Sequence, residues 1–246
     1  MHVQSKRPAV SDLKVAIFAD GADISGMLEM YPNPLIKGFT TNPTLMRKAG
    51  IADYAAFAAE VVQAIPDRPI SFEVLADDLP EMERQALAIS RWGKNVNVKI
   101  PVTTTLGEST AAIVHRLSRQ GVNLNVTALT TLAQVKTVAE AAGGGAPCYI
   151  SVFAGRVADT GVDPLPVMSD AVRVLAKHGT NLELIWASPR ELLNIFQADA
   201  IGCQVITVTN DILKKLSLVG RDLDEYSLDT VKMFRTDAIA SGFTVP

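Results

Sequence analysis

Eight short runs of strand-forming residues recur along the chain, each followed by a segment of helical period, and this alternation limits the fold more than any other feature. The runs are KVAIF (14–18), LIKGFTT (35–41), PISFEVL (69–75), NVNVKIPV (95–102), GVNLNVTAL (121–129), CYISVFAG (148–155), NLELIWAS (181–188) and CQVITVT (203–209). Between them lie amphipathic patterns such as ADYAAFAAEVVQAI, LPEMERQALAISRW and PLPVMSDAVRVLAKHG. Strands separated by helices predict a parallel sheet, since a parallel neighbour is reached only by a crossover long enough to hold a helix. Eight such units in 246 residues, with short connections and no Pro/Gly/Ser-rich linker, predict an α/β fold: a single (β/α)8 TIM-type barrel over 1–246. Residues 1–13 read as a tail and 221–241 as an additional C-terminal helix. A dinucleotide-binding sheet is disfavoured, because no G-x-G-x-x-G follows a strand; Gly143 to Gly145 follows a helix pattern and reads as a C-cap and loop.

Composition narrows the partners. The 23 basic and 26 acidic residues give a formal net charge of -3 with no basic run, which argues against nucleic acid, whose phosphates need clustered Lys and Arg. No apolar stretch approaches the roughly 18 residues of a membrane span. The first apolar run, Val15 to Ala19, is closed by Asp20 and is too short for a signal-peptide core, so a cytoplasmic protein is expected. Cys148 and Cys203 form neither a disulfide framework nor a zinc pattern, and no metal is expected. The three histidines lie in the tail and in helical segments, away from strand ends.

The chemistry is carried by the strands. In a barrel, alternate strand residues face the interior, and the strand ends at the C-terminal rim build the site. With Val96, Val98 and Ile100 packed against helices, Lys99 points inward. An inward lysine is costly as a cation, and its free amine is a carbonyl nucleophile. Asp20 closes the first strand, Thr41 and Asn42 the second, and Glu73 lies on the third. Asn125 and Thr127 share the inward parity of the fifth, Ser151 and Arg156 fall on and after the sixth, and Ser188 and Arg190 follow the seventh. Singly, each has a structural explanation: Asp20 and Ser188 as helix N-caps, Asn42 before a proline, Arg156 as a partner for Asp159. Together they are an amine, two carboxylates, amides and hydroxyls, with two arginines suited to a dianion. Imine formation needs an amine and a proton shuttle, and cleaving a carbon-carbon bond beside a hydroxyl needs a base. A phosphosugar matches both ends of the pocket.

On these residues the chain resembles the transaldolase family, from Val15 to about Leu216. The matching stretches are FADGAD (18–23), GFTTNPTL (38–45), SFEV (71–74), NVKIPVT (97–103), GVNLNVTAL (121–129), ISVFAGRVAD (150–159), ASPR (187–190) and ITVTNDILKKL (206–216). The resemblance implies a class I Schiff-base enzyme without metal or organic cofactor, moving dihydroxyacetone from a ketose phosphate such as fructose 6-phosphate or sedoheptulose 7-phosphate to an aldose phosphate. Lys99 would form the imine and Asp20 would take the C4 hydroxyl proton. Glu73, with Thr127 and a water, would move protons at the imine. Asn42 and Asn125 would hold the dihydroxyacetone fragment, with Thr41 beside them. Ser151, Arg156, Ser188 and Arg190 would bind the aldose phosphate. Glu73 and Phe153 resemble transaldolases, where fructose-6-phosphate aldolase-like members typically carry Gln and Tyr. The short length is instead that of the aldolase-like members, which resemble pentamers or decamers; a homo-oligomer is therefore expected. A lyase releasing free dihydroxyacetone, a transaldolase for a sulfonated or longer-chain sugar, and a non-catalytic phosphosugar-binding protein are the alternatives. Gly21, Val152, Ala154 and Pro189 depart from the family pattern, and Val152 and Pro189 flank the anion end.

Overall fold

A computed structural model describes residues 9–245. The chain divides into two compact units, Leu13–Leu213 and a second made from the terminal segments. Along the first run β1 (Ala16–Asp20), α1 (Ile24–Met30), β2 (Ile36–Thr40), α2 (Pro43–Lys48), α3 (Tyr54–Ala64), β3 (Ile70–Glu73) and α4 (Leu79–Ile89). There follow β4 (Val96–Pro101), α5 (Ala111–Arg119), β5 (Leu124–Leu129), α6 (Leu132–Ala142), β6 (Cys148–Val152), α7 (Ala154–Asp159), α8 (Leu165–His178), β7 (Leu182–Trp186), α9 (Leu193–Ala200), β8 (Val205–Thr209) and α10 (Asn210–Leu213). The eight strands pair in sequence order, all parallel, and β8 closes onto β1. This is the (β/α)8 barrel expected.

Local chemistry starts the helices where the pattern placed them. Asp53 and Asp78 cap α3 and α4 by accepting from the amides of Ala56 and Glu81, and Thr131 with Gln134 forms a reciprocal capping box on α6. Gly143 is the C-cap of α6, as its position suggested. Three short helices, α1, α2 and α7, lie where the sequence shows no helical period. Asp23 rather than Asp20 caps α1, and Asn42 is the N-cap of α2. The expected strand end at Ala154 and Gly155 is the first turn of α7.

Two layers of packing position the site. Outward strand residues, among them Val98, Ile100, Phe72 and Trp186, are fully buried beneath the helices. Inside, Phe18, Ile185, Ala187 and Val205 cluster with Ala16, Tyr149 and Phe153, and Phe18 meets Tyr149 edge to face at 5.5 Å. Gly38 admits this filling: a Cβ there would lie 2.7 Å from the Phe18 ring. The barrel is thus plugged by apolar side chains below its C-terminal rim, so polar groups gather in the layer above.

In the second unit, α11 (Leu223–Ser241) is capped at its start by Asp222 and ends at Gly242 in the left-handed conformation. After β8 come the one-turn α10, which belongs to the barrel unit, and a 3-10 segment, Lys214–Leu218, which belongs with the terminal unit. Of the expected tail, residues 1–8 lie outside the described residues. Among the described residues no helix is long and apolar enough to cross a membrane.

Candidate active site

Strand register assembles the site. Glu73 pairs with Lys99, Lys99 with Asn125, and Pro101 with Thr127, so side chains of three successive strands point to the interior at one height. On the other side, Asp20 pairs with Thr40. Above the apolar plug these side chains line a cavity of about 390 Å³.

Lys99 is 7% exposed at the bottom of that cavity. Its Nζ donates to the Thr41 carbonyl at 2.7 Å and lies 3.2 Å from the Glu73 carboxylate. Tyr54 of α3 holds Glu73 from behind: its hydroxyl accepts from the Glu73 amide at 2.7 Å and donates to the Glu73 carbonyl at 3.0 Å. Burial raises the Tyr54 pKa, so the phenol stays protonated and able to donate. Tyr54 in turn packs edge to face on Phe72 and Trp92.

The amide and hydroxyl groups are mutually braced. Asn125 donates to Ser71 at 3.0 Å and accepts from Ser151 at 2.7 Å, which fixes its amide orientation. Thr127 Oγ1 is buried with no hydrogen-bond partner in the protein, an arrangement that is costly unless the group serves a ligand. Asn42 uses its carbonyl oxygen to cap Leu45, leaving its amino group toward the cavity. Ala128 and Ser188, both on the rim, hold positive φ angles of 65° and 57°, strained for residues with a Cβ.

Asp20 faces Lys99 from across the barrel. Its pKa is raised, chiefly because burial penalises the anion; the Lys99 charge and a hydrogen bond from Thr40 oppose this, and the Glu73 charge adds to it. Two carboxylates and an amine therefore line one cavity, an arrangement able to move protons to and from the nitrogen and oxygen of a carbonyl adduct. Among the described residues no group of three or more His, Cys, Asp or Glu side chains converges as metal ligands would. Burial pushes the thiols of Cys148 and Cys203 up to about 12, which suits packing residues.

Ten of the twelve side chains singled out in the sequence line this cavity: Asp20, Asn42, Glu73, Lys99, Asn125, Thr127, Ser151, Phe153, Arg156 and Ser188. Two do not. Thr41 has outward parity, its hydroxyl bonded to the Ser71 carbonyl, and it meets Lys99 only through its main-chain oxygen. Arg190 is turned away into a two-point ion pair with Asp159, at 2.8 and 2.5 Å. The hydrogen-bonded partner of Asp159 is thus Arg190; Arg156 acts on Asp159 through its charge alone and lies 5.7 Å from the centre of the Phe153 ring. Gly155 permits the turn, since a Cβ there would fall 1.5 Å from the Ser188 carbonyl oxygen. Val152 and Pro189, the departures nearest this end, are both buried, and Val152 faces the helices in register with Trp186. Thr40, Thr207 and Tyr54 were missed. Parity on β2 and β8 marks the threonines as inward, but nothing local separates them from ordinary strand residues.

Residues 17–244 match the family described as Transaldolase/Fructose-6-phosphate aldolase. A protein of Dehalococcoides mccartyi named "Probable transaldolase" is 34% identical over 81% of this chain and 89% of its own length. One from Thermoanaerobacter of the same name is 35% identical over 81% and 88%. "Probable transaldolase 2" of Listeria monocytogenes is 33% identical over 81% and 87%. A solved structure from Burkholderia cenocepacia J2315 covers 93% of this chain and 94% of its own at a TM-score of 0.55, but at 13% identity it shares the fold alone.

Proposed function

Since the chain belongs to the transaldolase and fructose-6-phosphate aldolase family and is a transaldolase-like enzyme, we propose that it transfers a dihydroxyacetone unit from a ketose phosphate to an aldose phosphate through an imine on Lys99. The observation that carries the reading is the placing of the Lys99 amine 3.2 Å from Glu73 in a cavity that Asp20 also lines. The ammonium passes a proton to Glu73, and the free amine adds to the ketose carbonyl carbon C2. Glu73 returns the proton to the carbinolamine hydroxyl, which leaves as water; the Thr127 hydroxyl orients that water. The resulting iminium draws electrons from the C3–C4 bond as Asp20 takes the C4 hydroxyl proton, and the aldose leaves. An enamine remains on Lys99, held by Asn42 and Asn125. Its C3 attacks the acceptor aldehyde, Asp20 protonates the new alkoxide, and hydrolysis of the imine frees the product and the amine. Arg156, with Ser188, binds the phosphate end, while Ser151 keeps its hydrogen on Asn125.

Borohydride reduction in the presence of fructose 6-phosphate tests the imine, and mass spectrometry should find the reduced sugar fragment on Lys99 and none in Lys99→Ala. Product formation should depend on an added aldose phosphate. Absence of an adduct across a panel of ketose phosphates rejects the mechanism, and release of free dihydroxyacetone without an acceptor makes the protein a lyase instead.

A further inference from the structure

Thr40 and Thr207 stand on β2 and β8, the two strands flanking β1, and their side chains meet in front of it. Thr40 Oγ1 lies 2.8 Å from Asp20 Oδ1 and 2.7 Å from Thr207 Oγ1, and both threonines are buried. The register allows this, because Asp20 pairs with Thr40 while Phe18, one inward position lower, pairs with Thr207. We propose that Thr207 is a positioning residue for Asp20, acting through the Thr40 hydroxyl.

A hydroxyl carries one hydrogen, and an ionised carboxylate can only accept. When Asp20 is ionised, Thr40 must give its hydrogen to Oδ1, so the bond between the threonines has one direction: Thr207 donates to Thr40. The two dipoles then align toward the carboxylate, and each polarises the next. Two consequences follow for Asp20. Oδ1 already accepts from Thr40, which leaves Oδ2 the less engaged oxygen for a substrate hydroxyl. The anion also gains support against burial. The charged groups facing Asp20 act in opposite senses, Lys99 of β4 favouring the anion and Glu73 of β3 disfavouring it. Without Thr207, the Thr40 hydroxyl loses its polarising donor, its bond to Asp20 weakens, and the anion is less favoured.

The catalytic consequence rests on the proton-acceptor role proposed for Asp20, so the test reads the carboxyl group directly as well as turnover. Carbon-13 NMR of the full chain labelled at aspartate carboxyls, with the Asp20 signal assigned by its loss in Asp20→Asn, follows the titration. Thr40→Val should move it to higher pH and Thr207→Val should move it the same way by less. Thr207→Ser should match the parent, and the double variant should match Thr40→Val alone. In kinetics, the acid limb of kcat/KM should rise with the NMR titration. Thr207→Val should lose about threefold more activity below that limb than above it, where the loss stays under about twofold. Thr207→Ala repeats the measurement if the valine variant folds poorly. An Asp20 titration unmoved by both Thr207→Val and Thr207→Ala, or shifts that add in the double variant, would overturn the proposal. A parent protein that turns over no ketose phosphate would refute the functional reading, while the NMR titration would still decide the role of Thr207.

Discussion

Arg156 and Arg190 follow neighbouring strands, and their guanidinium groups meet different partners. Arg156 is exposed, lines the cavity and stacks near Phe153. Arg190 spends two of its donors on Asp159, which raises its own pKa and lowers that of the carboxyl. Because the pair is about half exposed on each side, its contribution to stability stays within the roughly 0.2–1 kcal/mol of surface ion pairs. Arg156→Met should therefore raise KM for a phosphorylated ketose by about tenfold, the effect of losing one charge-assisted contact. Arg190→Met should change it by less than about threefold. Steady-state kinetics with phosphorylated and unphosphorylated ketoses side by side checks this, and equal losses in the two variants would return Arg190 to the anion site. Parity made Lys99, Glu73 and Asn125 legible in the sequence, because a strand leaves only two directions for a side chain. The direction of Arg190 was not legible: it follows a strand end, and the close approach of Gly155 to Ser188 decides where it points.

At the scale of elements, β1 and β2 are fitted to each other through one missing side chain. Gly38 lies against the Phe18 ring so closely that a Cβ would stand 2.7 Å from it, whereas a Cβ at Gly21 would meet nothing within 4 Å. Gly38→Ala should destabilise the barrel by about 1–3 kcal/mol, the usual effect of overpacking, and Gly21→Ala should be close to neutral. Paired thermal melts followed by circular dichroism measure both, and an unchanged melting temperature for Gly38→Ala would mean that Phe18 yields without strain. The eight strands were legible because their β-branched runs are bounded by turn residues. The helices α1, α2 and α7 were not, since six or seven residues hold fewer than two helical turns and show no period. Their positions depend on caps, Asp23 for α1 and Asn42 for α2, which in the sequence look like loop or site residues.

For the molecule as a whole, the terminal unit leaves much of α11 apolar and uncovered, with Leu223 80%, Val231 60%, Phe234 63% and Ile239 63% exposed. So much exposed apolar surface on one helix favours association. Light scattering on the full chain should return a multiple of 26.3 kDa, and Val231→Asp with Phe234→Asp should reduce it; a monomeric parent protein would reject the prediction. The order of the units, the parallel pairing and the inward set on β3 to β5 were determined by the sequence alone, because alternation with period two and crossover length are local properties. Only the tertiary structure decided how strands distant in the chain meet. Closure of β8 onto β1 brings Thr207 to Thr40 and Asp20, and packing of α7 against the end of β7 commits Arg190 to Asp159. Such contacts join residues 31 to 167 positions apart, and their geometry comes from barrel closure and side-chain packing, which no local pattern encodes.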